Sequence, residues 1–328
     1  MTEPRVLVTG ACGCIGAWTL ATLVQEGTSI LAADLSDDRT RPALLMADDA
    51  LAKVEWTRLD VTDRAAVVRT IGDEGITHIV HLAGLQVPFC KANPSLGAAV
   101  NVVGTVNLFE AAREHVSQVQ GLAYASSIAA MGRPSFYGDG LVADDAPRQP
   151  QTLYGVYKQA NEDTARIYWQ DWEIPSVGLR PYIVYGVGRD QGLTSDLAKA
   201  ILAAVAGRPY AIKFSGKVAL QYAPDTAAMF LGSARSGHRG AAVCNLRNDV
   251  LDVEEFAAKL REIVPGTDVT VAKDKPLPFP AELEDRTLKA VLGGSVPHTP
   301  LEDAIRDTAQ RFESLLSKGA IDLSQLEA

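Results

Sequence analysis

The sequence contains few cysteines, and their number excludes two classes of protein. Only four occur in 328 residues, at positions 12, 14, 90 and 244. Four scattered cysteines in a chain of this length do not form the disulfide framework of a small secreted domain. Cys12 and Cys14 supply only two thiols, fewer than a structural zinc site requires. We therefore expect no metal centre, and we interpret this pair as small side chains in a tight loop.

Positive charge and long apolar runs are also scarce. The chain has 31 Lys and Arg residues against 40 Asp and Glu residues, a net charge of -9, without a long basic block. This balance argues against a nucleic acid or an anionic membrane as partner and favours a small molecule. No apolar run reaches the length of a membrane span, and the first residues lack the pattern of a secretory signal. These absences predict a cytoplasmic protein.

Short apolar runs alternate with helical patterns through the first half of the chain. Strands are expected at 6–9, 29–33, 54–59, 76–81, 121–126 and 176–179, and helices at 18–25, 40–52, 64–72, 96–116 and 154–172. Such alternation is typical of a parallel sheet covered on both faces. The expected fold is α/β, a Rossmann-type doubly wound parallel sheet with a smaller C-terminal α/β lobe.

The periodicity loosens after residue 186, which sets the expected domain boundary. Helices are predicted at 195–206, from Asp225, at 253–263 and at 301–317, with strands at 210–214, 242–246 and 268–272. We expect residues 1–186 to form a dinucleotide-binding domain, with a return segment near 221–247. Residues 187–328 would form a smaller substrate-binding lobe.

Three glycines follow the first predicted strand and open a helix. Gly10, Gly13 and Gly16 would allow backbone N–H groups and the helix dipole to meet a pyrophosphate. Their spacing is G-x-x-G-x-x-G rather than the simplest fingerprint, and a tight turn without a ligand is the alternative. Asp34 ends the second strand, where a carboxylate accepts hydrogen bonds from ribose hydroxyls and repels a 2′-phosphate. This pattern favours NAD over NADP, unless Arg39 turns inward to bind that phosphate.

Tyr154 and Lys158 are four residues apart in a helical segment. Residues at this spacing share a face, with Cβ atoms roughly 5–6 Å apart, so the ammonium group can lie beside the phenol. A phenol with a pKa of about 10 is a poor base at neutral pH. We expect the positive charge to lower the pKa of Tyr154 toward the range suited to proton transfer. A surface helix that carries Tyr and Lys by chance is the alternative.

Six motifs occur together in a recognisable order. They are the glycine loop at 9–16, Asp-Val-Thr-Asp at 60–63, His-Leu-Ala-Gly at 81–84, Ser-Ser at 126–127, Tyr-Gly-Val-Tyr-Lys at 154–158, and Leu-Arg-Pro at 179–181 with Val-Tyr-Gly at 184–186. In these features the chain resembles the extended short-chain dehydrogenase/reductase family, which includes NAD-dependent epimerases and dehydratases. The resemblance covers nearly the whole chain.

The resemblance implies a set of cofactor contacts. Asp60 and Val61 would hold the adenine, although a helix N-cap is the alternative for this segment. Lys158 would also bind the nicotinamide ribose, and His81 would be a packed residue at the end of its strand. The full set implied for NAD is Gly10, Gly13, Cys14, Ile15, Gly16, Asp34, Asp60, Val61, Leu82, Ala83, Gly84, Tyr154, Lys158 and Pro181.

The family pattern also implies catalytic and substrate residues. Ser127 would hydrogen-bond to the reacting oxygen beside Tyr154, as the third member of a Ser-Tyr-Lys relay. Ser126 would contact substrate or only end its strand. The other candidates for substrate contact are Gln86, Tyr182 and Arg189.

Three phosphate-binding features of nucleotide-sugar enzymes are missing. Ile183 stands where an Asn helps to hold a diphosphate, Val218 lies in the segment expected to carry an Arg, and the segment 280–286 lacks Arg-x-Gly-Asp. A desolvated diphosphate needs such donors, each worth on the order of 1.5–3 kcal/mol. We therefore expect a small sugar, sugar acid or polyol as the substrate of an NAD-dependent oxidoreductase.

Two other functions remain open from the sequence. A UDP-sugar 4-epimerase would use the same residues and recycle a tightly bound NAD, and a non-catalytic NAD-sensing module would keep only the fold. The family resemblance further implies a homodimer, joined through the helices near 96–116 and 154–172.

Overall fold

Seven parallel strands form the central sheet of the computed structural model, which describes residues 4–327. The strands of the described chain are β1 Arg5–Thr9, β2 Ser29–Asp34, β3 Glu55–Arg58, β4 His78–His81, β5 Gly121–Ala125, β6 Ser176–Arg180, β7 Ile183–Tyr185, β8 Tyr210–Ile212, β9 Lys217–Tyr222, β10 Ala241–Asn245, β11 Asp249–Asp252 and β12 Val269–Val271. The order across the sheet is β10-β6-β5-β4-β1-β2-β3. The order in which the strands are added to the sheet thus reverses between β1 and β4. In open α/β sheets, ligands bind outside the carboxyl ends of the strands at such a point.

Helices cover both faces of this sheet. They are α1 Cys14–Glu26, α2 Thr40–Leu45, α3 Asp48–Leu51, α4 Arg64–Asp73, α5 Val87–Ala92, α6 Pro94–Ala98, α7 Gly104–Glu114, α8 Leu153–Trp172, α9 Asp196–Val205, α10 Ala223–Arg235, α11 Val253–Ile263, α12 Arg286–Val291 and α13 Leu301–Ser317. Alternate residues of β1 point to opposite faces. Val6 and Val8 join a core with α1 and α10, while Leu7 joins a core with α4, α7 and α8. This arrangement confirms the predicted fold class.

The second lobe is built around a small mixed sheet. In it β9 pairs antiparallel with β11 and parallel with β7, and a separate pair is formed by β8 and β12. Helices α9, α11 and α13 pack against these strands in a third apolar core. The predicted return segment contains α10 and β10, and β10 pairs with β6 at the edge of the central sheet. The two lobes are therefore interleaved along the chain.

The segment expected as one long helix at 96–116 is interrupted. Helix α6 leads into a wider π-helical turn, Ala99–Val103, before α7 begins. By length and composition the whole stretch, Pro94–Glu114, is apolar enough to cross a membrane, which the sequence analysis did not anticipate, but half of the tested window is buried inside the protein. The stretch expected as a helix at 40–52 is likewise divided, into α2 and α3.

Candidate active site

A cavity of about 560 Å³ lies along the carboxyl ends of the central strands. Its size is within the range of small-molecule and cofactor sites. It brings together residues from both lobes, and all the predicted site residues except Asp60 line it. These are Gly10, Gly13, Cys14, Ile15, Gly16, Asp34, Val61, Leu82, Ala83, Gly84, Gln86, Ser126, Ser127, Tyr154, Lys158, Pro181, Tyr182 and Arg189.

The glycine loop between β1 and α1 has no room for side chains. Gly10 has a φ of +67°, and a Cβ there would lie 2.7 Å from the backbone nitrogen of Ala83. A Cβ on Gly16 would lie 2.3 Å from the carbonyl oxygen of Gly10. Gly13 precedes α1 without a side-chain cap, so the first N–H groups of that helix remain available at the cavity. The loop therefore fits the pyrophosphate of a dinucleotide.

The carboxylate of Asp34 is fixed at the end of β2. It accepts hydrogen bonds from the backbone nitrogens of Cys12, at 2.9 Å, and Ser36, at 3.1 Å. A carboxylate has about four acceptor sites, so lone pairs remain for ribose hydroxyls. The guanidinium of Arg39 lies 4.4 Å from the ring centre of Trp56, and Arg39 is not among the residues that line the cavity. These contacts fit NAD.

Asp60 lies outside the residues that line the cavity, although Val61 lines it. Its Oδ1 accepts hydrogen bonds from the backbone nitrogen and the hydroxyl of Thr62, at 2.9 and 2.7 Å. Asp63, rather than Asp60, caps α4 by accepting from Ala66 N at 3.0 Å. The adenine contact of Asp60 stays a prediction.

Three candidate catalytic side chains meet at the start of α8. Thr152 caps this helix by accepting from Gly155 N at 3.0 Å, which places Tyr154 in its first turn. The ammonium of Lys158, one turn later and 4% exposed, donates to the carbonyl oxygen of Ala125 at 2.8 Å and lies 5.4 Å from the ring centre of Tyr154. Ser127, just after β5, lies close enough to Tyr154 to act to lower the pKa of its phenol. The spacing of Tyr154 and Lys158 thus produces the predicted proximity.

Burial shifts the pKa values of both Tyr154 and Lys158. It raises the pKa of Tyr154, while Ser127 and the charge of Arg189 act to lower it. The expected net decrease is therefore wrong in this structure, because burial outweighs the positive charge. Burial also lowers the pKa of Lys158 to about 8.

Arg189 is a cation that forms no ion pair with a carboxylate among residues 4–327. Its Nη2 donates to the hydroxyl of Thr194 at 3.2 Å, and its buried Nε has no hydrogen-bond partner among the described residues. The adjacent Asp190 is held instead by Arg41, whose Nη2 lies 2.8 Å from Asp190 Oδ1. Burial lowers the pKa of Arg189. The cavity therefore has a positive group beside Tyr154 that forms no direct ion pair among the described residues, and such a group is suited to an anion.

Other predicted substrate residues are oriented differently. The hydroxyl of Ser126 donates a hydrogen bond to the buried carboxylate of Glu162, and the hydroxyl of Tyr182 donates to Phe279 O at 3.3 Å. Gln86 faces the loop after β7, where a Cβ on Gly192 would lie 2.1 Å from its Oε1. Its side chain therefore closes against that loop.

The structure also contains site residues that sequence reasoning missed. Arg41 and Phe279 line the cavity. Asn101, buried in the π-helical turn, donates to the carbonyl oxygens of Leu85 and Gly97, while its Oδ1 has no partner among the described residues. A buried amide in an apolar helix was a usable signal for Asn101. No sequence pattern pointed to Arg41 or Phe279, because their position in the cavity depends on the packing of segments that are distant in the chain.

The remaining titratable groups near the strand ends are structural. His81 is buried between the hydroxyls of Thr9, at 2.7 Å, and Thr105, at 3.1 Å, and burial lowers its pKa to about 3. It is thus a neutral packed residue. Within residues 4–327, no group of three or more His, Cys, Asp or Glu side chains is arranged to hold a metal ion.

Comparison with known proteins identifies relatives of the chain. Residues 6–243 match the NAD dependent epimerase/dehydratase family. UDP-glucuronate 4-epimerase 3 of Arabidopsis thaliana is 32% identical over 185 residues, which are 55% of this chain and 42% of that protein. UDP-glucose 4-epimerase of Mycolicibacterium smegmatis is 31% identical over 206 residues, 61% of this chain and 63% of that protein. The chain therefore spans less than two thirds of either relative.

Solved structures share the fold at low sequence identity. An L-threonine dehydrogenase from Clostridium difficile has a TM-score of 0.81 and 20% identity, covering 98% of this chain and 100% of that one. A UDP-glucose 4-epimerase from Thermotoga maritima, solved with UDP-glucose, has a TM-score of 0.78 and 20% identity, covering 95% of this chain and 99% of that one. These likenesses support the architecture alone.

The family match and the geometry agree. The resemblance inferred from the six motifs is confirmed, and the glycine loop, Asp34 and Lys158 fit the cofactor that the family uses. The chain belongs to the NAD-dependent epimerase/dehydratase family, the enzymes of the extended short-chain dehydrogenase/reductase type, and its cofactor is NAD.

Proposed function

We propose that the protein is an oxidoreductase that transfers hydride between nicotinamide and a carbinol or carbonyl carbon of a small sugar acid, sugar or polyol. The observation that carries this proposal is the meeting of Ser127, Tyr154 and Lys158 in the cavity that joins the glycine loop to the second lobe. Both Tyr154 and Lys158 are present, which argues against a non-catalytic NAD-sensing module.

In this mechanism the protein moves the proton and orients the reactants. Bound NAD supplies the carbon that accepts or donates hydride. Tyr154 takes the substrate hydroxyl proton during oxidation and returns it during reduction. Ser127 hydrogen-bonds to the same substrate oxygen as its charge changes. The ammonium of Lys158, anchored on Ala125 O, favours the phenolate form of Tyr154 and would hold the ribose.

Arg189 supports an acidic substrate. A desolvated guanidinium with an unpartnered Nε gains most from a carboxylate, which accepts its fork of donors in two hydrogen bonds. Asp190 forms no ion pair with it, because the oxygens of that carboxylate accept hydrogen bonds from Arg41. Among the three substrate classes, we therefore favour the sugar acid.

The positions expected to bind a diphosphate lack the necessary donors in this chain, which favours a small substrate over a nucleotide sugar. Ile183 and Val218 are both 0% exposed and belong to the core of the second lobe. Arg286 has an 81% exposed side chain and pairs with Glu284. None of the three offers a buried donor to a diphosphate, which such a group would require.

A UDP-sugar 4-epimerase is the second candidate. The two relatives described above are named as 4-epimerases, and the ion pair between Arg41 and Asp190 is part of the cavity lining beside the glycine loop. A bridge over the cofactor would favour retention of NAD, which an epimerase needs because it returns the hydride to the same substrate.

A substrate panel separates these two functions. Purified protein is mixed with NAD and with aldoses, uronates, aldonates or UDP-sugars, and NADH absorbance is followed. Sustained NADH formation with an acid substrate is expected, and Tyr154→Phe should lower kcat by about 10²–10⁴-fold without changing NAD affinity. Interconversion of UDP-sugar epimers without NADH release would contradict the dehydrogenase.

Variants of arginine test the acidic substrate. Arg189→Leu should raise KM for acid substrates by about 10- to 100-fold, the effect of losing a charged hydrogen bond. KM for neutral sugars should change little. Arg286→Leu is the matched control, since this arginine lies outside the cavity lining. Equal effects of Arg189→Leu on acids and neutral sugars would argue against carboxylate recognition.

The proposal includes a cytoplasmic homodimer. Large apolar side chains are exposed on α6, the π-helical turn and α8: Leu96, Val103, Val156 and Ile167 are 49%, 47%, 47% and 38% exposed. A two-fold dimer would bury this surface against itself.

A further inference from the structure

A buried ionic cluster lies beside the catalytic side chains. Oε1 of Glu162 accepts hydrogen bonds from the Ser126 hydroxyl and from Arg180 Nε, the latter at 2.8 Å. Its Oε2 accepts from Arg180 Nη2 at 2.8 Å and from Arg148 Nη1 at 3.1 Å. The side chains of Glu162 and Arg180 are 0% and 2% exposed. All the acceptor capacity of one carboxylate is thus used by three neighbours.

Stability alone does not account for this cluster. Taking both charges out of water is costly, and apolar replacements of buried ion pairs are often neutral or stabilising. The cluster also contacts the end of β10, because Arg180 Nη1 donates to Asn245 Oδ1 at 3.0 Å. Its position next to the reacting groups suggests a further role.

Ser126 connects the cluster to the catalytic site through the backbone. It stands between Ala125, whose carbonyl oxygen anchors Lys158, and Ser127, which lies beside Tyr154 in the cavity and acts to lower the pKa of its phenol. Glu162 therefore holds the middle residue of a three-residue segment whose two ends fix the relay. Glu162 also follows Lys158 by one helical turn, on the same face of α8.

A second hydrogen bond holds the chain at the end of the same segment. The backbone nitrogen of Ile128 donates to Pro181 O at 3.1 Å, and Pro181 directly follows Arg180. The ends of β5 and β6 are thus joined by one backbone bond and by the shared carboxylate of Glu162. Movement of either strand end would require breaking the cluster.

We propose that Glu162, acting through Ser126, is a positioning residue that holds the Ala125–Ser127 segment so that Lys158 and Ser127 meet Tyr154. This inference rests on the proposed function for the identity of the relay. It assigns Ser126 a role within the protein, in place of the substrate contact expected from the sequence.

Charged groups around the relay give the cluster an electrostatic effect as well. Burial lowers the pKa of Lys158, whereas the charges of Cys90 and Glu162 act to raise it. Loss of the negative charge of Glu162 should lower the pKa of Lys158 further, below about 8. The titratable and charged groups facing Lys158 and Glu162 are His81 from β4, Cys90 from α5, Tyr124 from β5, Tyr154 from α8, Arg180 from β6 and Arg148 from the segment before α8.

The first test removes only the hydroxyl of Ser126. Ser126→Ala should lower kcat about tenfold, the effect of losing a hydrogen bond to a charged group, with substrate KM and NAD affinity unchanged. Ser176→Ala is the matched control. That serine is also 2% exposed, but its hydroxyl has no hydrogen-bond partner among the described residues, so its kcat should equal that of the wild type. A wild-type kcat in Ser126→Ala, or a loss that appears as a raised KM, would overturn the proposal.

The second test uses Glu162→Gln and the double variant with Ser126→Ala. The double variant should lose no more activity than Glu162→Gln alone, because both changes break the same contact. Independent, multiplying losses would contradict the coupling. Glu162→Gln leaves the buried Arg180 without its carboxylate partner, whereas Arg148 keeps its ion pair with Asp163. If this variant fails to fold, Ser126→Ala alone decides.

A third measurement does not depend on turnover. The pH dependence of Lys158 acetylation by acetic anhydride, followed by mass spectrometry, reports the pKa of this lysine. The midpoint should fall by about one unit in Glu162→Gln, and Ser126→Ala should label faster because Lys158 loses its fixed anchor. Unchanged labelling in both variants would refute the role of Glu162. If the substrate panel gives no turnover, the proposed function fails, yet this measurement still tests the positioning.

Discussion

At the scale of single residues, the burial of Lys158 makes its charge sensitive to pH. Its pKa is lowered to about 8, so the ammonium is lost as pH rises through that value. Because the folded pKa lies below the ordinary one, the neutral form is favoured in the folded state. The contribution of Lys158 to folding stability therefore improves between about pH 8 and its ordinary pKa of 10.5.

This titration predicts a pH-dependent cofactor affinity. NAD binding to the free protein should weaken as pH rises through about 8, because the donor to the nicotinamide ribose loses its charge. Fluorescence titration of NAD across the neutral and alkaline range measures this. Lys158→Met should bind NAD more weakly with a flat profile over the same range. A flat profile in the wild-type protein would contradict the prediction.

At the residue level, sequence patterns point to the candidate residues whose arrangement depends on local spacing, and their roles stay predictions. Tyr154 and Lys158 are one turn apart, and the glycine loop requires small residues within seven positions, so both patterns are visible in the sequence. Arg189 differs, because its importance comes from the absence of a nearby carboxylate, which depends on Arg41 holding Asp190 from another segment. The direction of the Tyr154 pKa shift was also inaccessible, since burial is not encoded in spacing.

At the scale of secondary-structure elements, long periodic segments were predicted well and short or irregular ones were not. Helices α11 and α13 match their predicted limits. Strands β7, β9 and β11 were missed; they form the small mixed sheet, whose pairing joins segments that are distant in the sequence. The π-helical turn at Ala99–Val103 also left no periodic signal, although it creates the position of Asn101 beside the cavity.

The bridge between α2 and the loop after β7 predicts slow cofactor exchange. Arg41 donates to both carboxylate oxygens of Asp190 and, from Nη1, to the carbonyl oxygen of Cys12 in the glycine loop. Asp190→Asn should speed NAD dissociation about fivefold, which corresponds to about 1 kcal/mol for a partly exposed pair. Stopped-flow displacement of bound NAD measures the rate.

A surface ion pair provides the comparison for this bridge. Glu26→Gln breaks the contact with Arg235, 2.8 Å long and distant from the cavity lining, and should leave NAD dissociation unchanged. If both variants release NAD at the same rate, the bridge does not retain the cofactor.

At the scale of the whole molecule, the exposed apolar surface on α6 and α8 predicts self-association. Val156→Glu should convert the protein to a monomer, because a charge would be buried at the centre of a two-fold interface. Sedimentation velocity or light scattering measures the mass. Leu141→Glu is the control, since Leu141 is 54% exposed but lies in the loop before α8. A wild-type protein that is monomeric at high concentration would refute the dimer.

The late position of β10 in the chain has a consequence for folding during synthesis. Residues 241–245 complete the edge of the central sheet beside β6, some sixty residues after β6 itself is made, so the ribosome must first produce α9, β8, β9 and α10. Until then, the hydrogen-bonding groups of β6 form an open edge, a hazard for intermolecular pairing. The order of the strands therefore makes the cofactor-binding half dependent on the rest of the nascent chain, and non-local closure of this kind slows folding.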